Sequence, residues 1–271
     1  FGDQYLHRIL GAEAAAESWP PAGVLPAGTP VDPNGYAANA AIRPHLLRVA
    51  ADARNRFVFA HINEPDTWGH RFGPRHPDTL AAYTAADRLV AAAIDALWPD
   101  WGRTLIAVVS DHGMEPVSAA PPIDLLAHPA IRAVAADVVE EGGCALLRLR
   151  EGVSPAAAGA AAAGVPGVAA WRSLTGEIVL VEGEPGARFA AGAGKGPAGL
   201  HGGPGTTRTM AVVGGGHPAV ERIARALRDS PPHLADWAPT IASVLEMPLP
   251  TADGRDLSRG GATRPSISPG A

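Results

Sequence analysis

The chain has one cysteine, few aromatic residues and no long hydrophobic run. The single thiol, Cys144, excludes an internal disulfide bond and a zinc site built from cysteines. Aromatic residues make up only 5% of the 271 residues, so the core must come mainly from Ala, Val, Leu and Ile, which favours helices packed on a sheet. No apolar run reaches the roughly 18 residues that a membrane-spanning helix needs, so no membrane span is predicted.

The charge distribution argues against a protein that binds the nucleic-acid backbone. The net charge is -5, and the 22 Lys and Arg residues form no basic run. The length fits one large α/β domain or two small ones. A lone cysteine is compatible with the cytoplasm, and we expect a cytoplasmic location on that basis.

Hydrophobic spacing predicts alternating strands and helices. The predicted helices are Tyr5–Leu10, Ala41–Ala53, Thr79–Leu97, Pro155–Ala163, Pro218–Leu227 and Leu234–Leu245. The predicted strands are Arg56–Ile62, Thr104–Val109, Cys144–Leu149, Glu177–Val181 and Thr209–Val213. The first two strands flank a helix, which indicates a βαβ unit with Thr104–Val109 as a central parallel strand.

We therefore predict a three-layer α/β/α domain with a mostly parallel central sheet. The domain is expected to cover residues 1–257, with a small elaboration at residues 123–186 where the pattern is weaker. Residues 258–271 are rich in Ser, Gly, Pro and Arg and are predicted to be a disordered tail.

Two motifs place a carboxylate and an imidazole directly after predicted strands. In the first, Asp66 and His70 are four residues apart, which places them on one face of a helical turn. In the second, Asp111 and His112 follow Val109, and the next glycine permits the turn that would let both side chains converge. Each pair alone also fits a polar surface loop or a helix cap. Two such pairs at the carboxyl ends of strands favour a metal site of oxygen and imidazole ligands.

A third candidate ligand is His201, which lies in a glycine-rich loop. The glycines that follow it would let the backbone come close to a ligand. Alone, it is one loop histidine among the 10 histidines of the chain.

Together these segments resemble the nucleotide pyrophosphatase/phosphodiesterase branch of the alkaline phosphatase superfamily. The matching residues are Glu64-Pro65-Asp66-x-x-Gly69-His70, Ser110-Asp111-His112-Gly113-Met114, Gly199-x-His201-Gly202 and the closing segments Ala235–Ile241 and Asp253–Leu257. The resemblance implies an alkaline-phosphatase-like fold and two zinc ions. One zinc would be held by Asp66, His70 and His201, and the other by Asp111 and His112 together with an upstream aspartate and a Thr or Ser nucleophile.

The implied activity is zinc-dependent hydrolysis of phosphodiester or pyrophosphate bonds in small phosphorylated metabolites. No Asp or hydroxyl residue of the first 40 follows an apolar strand or opens a helix, so the sequence predicts a domain that lacks its leading segment and leaves the nucleophile unassigned. Thr67 occupies a variable position of the first motif and is a poor candidate. The alternatives are a phosphomonoesterase, a phosphonoacetate-type hydrolase and a non-catalytic metal-binding remnant.

Overall fold

The computed structural model describes residues 1–2, 4, 7, 15–190 and 196–259. In this part the α-helices are α1 Asn39–Ala50, α2 Glu64–Phe72, α3 Pro77–Leu97, α4 Pro129–Val134, α5 Pro155–Ala163, α6 Ala219–Asp229 and α7 Trp237–Val244. The strands are β1 Ile106–Val109, β2 Glu115–Pro116, β3 Ala135–Glu141, β4 Cys144–Leu149, β5 Val168–Ser173, β6 Ile178–Gly183, β7 Gly199–Leu200 and β8 Ala211–Gly214. Apart from residue 7, the predicted helix Tyr5–Leu10 lies outside the described residues, as does the predicted tail apart from residues 258 and 259. None of the described helices combines the length and apolar character that crossing a membrane requires.

Helices α1 and α3 pack together and support α2. Their core includes Ile42 and Leu46 of α1 and Leu89 of α3, all almost fully buried. Proline at the first position of α3 and the His76 ring, which accepts the Asp78 N–H, define where α3 begins. The predictions of α1 and α3 are confirmed to within a few residues at each end.

The prediction of a central parallel strand is wrong for β1. This strand pairs antiparallel with β8, with Ile106 opposite Gly214 and Val109 opposite Ala211. Helix α6 packs against this pair through Ile223. All strand ladders in the described residues are antiparallel, and the one parallel contact is an isolated bridge between Ile123 and Phe189. A mostly parallel sheet is therefore not confirmed.

The predicted strand Arg56–Ile62 is not a strand of any sheet in the described residues. Its main chain instead bonds to the first residue: the Phe1 amino group donates to Phe59 O, and Phe1 O accepts the His61 N–H. Aromatic and β-branched content favours an extended chain, but pairing requires a partner strand in register. The predicted βαβ unit is absent from the described residues for this reason.

A four-stranded antiparallel sheet, in the order β3-β4-β6-β5, forms a second core with α4 and α5. Strands β4 and β6 and helix α5 confirm their predictions. The outer strands β3 and β5 were not predicted. The indole of Trp171 on β5 lies directly on Gly159 of α5, where an added Cβ would be 2.2 Å from the ring. The assignment of residues 123–186 as an elaboration of one domain stays a prediction.

Near the end of the described chain, a buried carboxylate ties the segment after α7 to the helix. Asp236 is fully buried and accepts the backbone N–H groups of His233 and Arg255 as well as the Arg255 guanidinium. Burial raises the pKa of Asp236, but these hydrogen bonds outweigh it and hold the pKa below its usual value.

Candidate metal centre

Asp66 and His70 lie one turn apart on the same face of α2. The helix begins at Glu64, with Pro65 in its first turn, and the Asp66 N–H donates to Asn63 O. The distance between Asp66 Oδ1 and His70 Nε2 is 3.4 Å. The two side chains can therefore reach one cation, as their spacing predicted.

His112 approaches the same carboxylate from the loop that follows β1. Its Nε2 atom is 3.9 Å from Asp66 Oδ1 and 3.6 Å from Asp111 Oδ2. Asp111 also accepts the His112 N–H with its other oxygen, so the chain turns sharply at this point. The side chain of Asp111 is 71% exposed and lies at the rim of the group.

His201 completes the group from the loop after β7. Its ring stacks on that of His112 with 3.7 Å between centroids and meets the His70 ring edge-on at 5.0 Å. Burial lowers the pKa of His201, and the neighbouring His112 lowers it further. A lowered pKa favours the neutral imidazole, which is the form that binds metals.

The ligand atoms of Asp66, His112 and His201 all lie within 4.8 Å of one another. Among the described residues, these three side chains form the group that could hold a metal ion. His70 lies beside them. The family resemblance implied a site of His70 with Asp66 and His201, and a second site of His112 with Asp111. The structure brings all five side chains to one place.

Hydrogen bonds to backbone carbonyls orient two of the imidazoles. His70 Nδ1 is 2.9 Å from Gly199 O, and His112 Nδ1 is 3.0 Å from Gly113 O. Both contacts require a proton on Nδ1, and in the neutral imidazole, the form that binds a metal, Nε2 is then an acceptor that faces Asp66. Metal-binding histidines are commonly held in this way.

This arrangement tests whether the residues present fit a metal. Asp66 Oδ1 is buried and has no hydrogen-bond donor, although His70 Nε2 and His112 Nε2 face it. With both protons on Nδ1, three acceptor atoms point at one another. A cation would satisfy all three, and imidazole nitrogen with carboxylate oxygen is a typical donor set for a first-row metal such as zinc. The residues therefore fit a metal ion.

Glycines let the three segments approach so closely. A Cβ on Gly69 of α2 would be 3.0 Å from the Met114 side chain, and one on Gly199 would be 2.4 Å from Gly69 O. The Ala198 N–H also donates to His70 O at 2.7 Å. The loop after β1 and strand β7 therefore both pack directly on the helix that carries Asp66 and His70.

The sequence did not reveal the role of Thr67. Its side chain is 1% exposed, and its hydroxyl donates to Asp32 Oδ2 at 2.6 Å. Asp32 also accepts the N–H groups of Asn34 and Tyr36, so it joins the first turn of α2 to the preceding loop. Thr67 is thus a structural residue, and its burial removes it as a candidate nucleophile. The spacing of Asp32 and Thr67 gave no signal of this contact.

A sequence model of the type I phosphodiesterase/nucleotide pyrophosphatase family matches residues 35–204, more than half of the chain. Among curated proteins, venom phosphodiesterase of Macrovipera lebetinus is 37% identical over 70 residues, which are 24% of this chain and 8% of that protein. Ectonucleotide pyrophosphatase/phosphodiesterase family member 1 of Mus musculus is 35% identical over 72 residues, 26% of this chain and 8% of that protein.

Solved structures show the fold. Murine ectonucleotide pyrophosphatase/phosphodiesterase 5 is similar with a TM-score of 0.51 and 16% identity, over 67% of this chain and 53% of that chain. An inactive variant of the same protein in complex with AMP gives a TM-score of 0.57 and 15% identity, over 80% of this chain and 62% of that one. These similarities establish an alkaline-phosphatase-like α/β fold. The chain spans about half to three fifths of the length of these structures. All five predicted ligands fall within the matched range, and the chain belongs to the type I phosphodiesterase/nucleotide pyrophosphatase family of the alkaline phosphatase superfamily.

Proposed function

We propose that this chain provides the metal-binding part of an enzyme that hydrolyses phosphodiester or pyrophosphate bonds in small phosphorylated metabolites. The observation that carries the proposal is the convergence of Asp66, His112 and His201 on one point, with a buried carboxylate oxygen that has no donor. These residues lie inside the range that matches a family of hydrolases.

The proposed metal is zinc, with two ions in a complete site. Asp66, His70 and His201 would hold one ion, and Asp111 and His112 would contribute to the other. When bound, the ions would act as Lewis acids on the phosphoryl oxygens and favour deprotonation of the nucleophile. Asp66 would supply negative charge, and the imidazoles of His70 and His112 would be held by the carbonyl oxygens they face.

The nucleophile is not assigned to any described residue. Thr67 is excluded by its burial and by its bond to Asp32. The family resemblance implies a Thr or Ser, and the Ser and Thr residues of the first 40, Ser18 and Thr29, neither follow an apolar strand pattern nor open a predicted helix. We therefore propose the metal ligands of the site and leave its nucleophile open.

The proposed substrate is a small phosphorylated molecule of the nucleotide class. The solved relative in complex with AMP supports this class, and the absence of a basic run in the sequence argues against a long nucleic acid. The alternatives remain a phosphomonoesterase, a phosphonoacetate-type hydrolase and a metal-binding protein without turnover. A cytoplasmic location stays a prediction.

Hydrolysis of bis-p-nitrophenyl phosphate by the chain with added zinc, beside the monoester p-nitrophenyl phosphate, tests the proposal. We expect diester turnover that a chelator abolishes and that added zinc restores. A preference for the monoester would move the assignment to a phosphatase. Zinc binding without turnover of either ester would contradict catalysis by this chain and favour a metal-binding role.

A further inference from the structure

A single buried threonine contacts both of the loops that carry the stacked histidines. Thr206 is 2% exposed and follows the glycine-rich loop after His201. It lies just beyond residues 35–204, the range that the family model matches. Its hydroxyl group and its backbone carbonyl make separate hydrogen bonds, and each bond leads to a different imidazole.

The hydroxyl holds the backbone directly after His201. Thr206 Oγ1 accepts the Gly202 N–H at 3.1 Å and donates to Gly203 O at 2.8 Å. Gly202 has a φ of +89°, and an added Cβ there would be 2.5 Å from Glu141 O. The loop is therefore tightly packed where the hydroxyl binds it, so the loss of this bond has no ready replacement.

The backbone carbonyl of Thr206 leads to His112. Thr206 O accepts the Gly113 N–H at 2.7 Å, and the carbonyl of Gly113 faces His112 Nδ1 at 3.0 Å. The residue whose carbonyl orients the His112 ring is thus anchored on Thr206 through its own N–H. Thr206 therefore fixes the two loops relative to each other. The rings of His112 and His201, one from each loop, stack with 3.7 Å between their centroids.

We propose that Thr206 is a positioning residue that sets the spacing of His112 and His201 for metal binding. This inference rests on the metal site of the proposed function. The Thr206 hydroxyl can be removed without changing the backbone, and Thr206→Val does so with almost no change in side-chain shape. The variant leaves the partly buried Gly202 N–H without its acceptor, which allows the His201 loop to move.

The test compares three variants of the full chain by zinc affinity, measured by competition with a chromogenic chelator. Thr206→Val should weaken zinc binding about 10- to 100-fold, the usual cost of losing a residue that orients metal ligands. Thr206→Ser keeps the hydroxyl and should bind zinc nearly as the unaltered chain does. The matched control is Thr207→Val, because the exposed Thr207 hydroxyl bonds only to Pro204 O in the same loop and should leave affinity unchanged.

A second measurement, on metal-free protein, separates this inference from the function it rests on. The stacked rings should give upfield-shifted imidazole proton resonances, which Thr206→Val should move toward unstacked values and Thr207→Val should not. Unchanged affinity and unchanged ring shifts in Thr206→Val would refute the positioning role, as would equal losses in both valine variants. An unaltered chain that binds zinc yet cleaves no ester would refute the proposed enzyme and leave the positioning role standing.

Discussion

The substitution Gly199→Ala is the most direct test of how the metal centre is assembled. Gly199 of β7 lies on α2, where its carbonyl faces His70 Nδ1 at 2.9 Å. A Cβ at this position would be 2.4 Å from Gly69 O and 3.2 Å from Gly73 Cα. The contacting atoms are backbone atoms of a helix and its end, so no side-chain rotation can relieve the overlap.

The size of the effect follows from the distance. Ordinary van der Waals contact begins near 3.4 Å, so β7 must move away from Gly69 by about 1 Å. Overpacking of this kind costs roughly 1–3 kcal/mol of stability. A shift of about 1 Å also exceeds the tolerance of roughly 0.5 Å within which site residues must be held. We therefore expect zinc affinity to fall about 10- to 100-fold, or about 1.4–2.7 kcal/mol.

The assay measures urea unfolding and zinc affinity for Gly199→Ala beside Gly214→Ala. Gly214 ends β8, and a Cβ there would meet no atom within 4 Å, so this control should change neither quantity by much. Wild-type zinc affinity in Gly199→Ala would refute the role of the Gly199 carbonyl in orienting His70. Equal losses in both variants would show that the effect is a general one of added bulk.

Three further predictions concern the metal, the helix packing and the response to acid. His201→Ala should lose metal binding and most activity, whereas His217→Ala, which removes only a ring that accepts a helix N–H, should bind metal normally; equal effects would contradict the assignment. Gly159→Ala should lower the unfolding midpoint despite a helix-propensity gain of about 1 kcal/mol, because the new methyl meets the β5 indole. Gly164→Ala should not, because a Cβ there would come no closer than 3.5 Å to its neighbours. Asp236 has a lowered pKa when folded, so its stabilisation is present above the unfolded pKa and is lost as pH falls through the folded value. The unfolding midpoint of Asp236→Asn should therefore lie below that of the unaltered chain at pH 7, by a margin that shrinks as the pH falls below about 4, the usual value of an Asp carboxyl; a constant margin would contradict this.

Local signals explain which elements could be predicted from the sequence. Helix α5 begins after Ser154, whose hydroxyl accepts the Ala157 N–H, and it has proline in its first turn, so its bounds were predicted as they are. Strands β4 and β6 are central in their sheet and rich in buried apolar residues. Strand β5 lies at the edge, most of its residues are exposed, and its composition therefore carries little strand signal.

The direction of strand pairing could not be predicted from the sequence because it depends on segments that are far apart in the chain. The apolar run of β1 fits a buried strand of either direction, and its partner β8 lies about a hundred residues later. In the same way, Phe57 and Phe59 favour an extended chain, yet no local feature shows that this chain bonds to Phe1. Residue composition predicts the backbone state here, whereas the fold determines the partner.

The same distinction between local and distant features applies to the metal centre. Asp66, His70, Asp111, His112 and His201 could be proposed as ligands from the two carboxylate–imidazole motifs together with the family resemblance. The atoms that orient them could not, because they are backbone carbonyls: Gly199 O for His70 and Gly113 O for His112. Any residue supplies a carbonyl, so the sequence shows only the glycines that allow these peptides to come close.

Backbone orientation has a consequence for how substitutions act at this centre. A ligand held by a neighbouring side chain can lose its orientation through one substitution at that side chain. His70 and His112 are instead held by peptides whose positions depend on close packing between α2, β7 and the loop after β1. Removing a ligand abolishes one metal–ligand bond, whereas a methyl group at Gly199 meets the backbone of α2 and displaces β7 together with the carbonyl that orients His70. Metal binding should thus be sensitive to substitution at Gly199, which neither charge nor chemical reactivity would suggest.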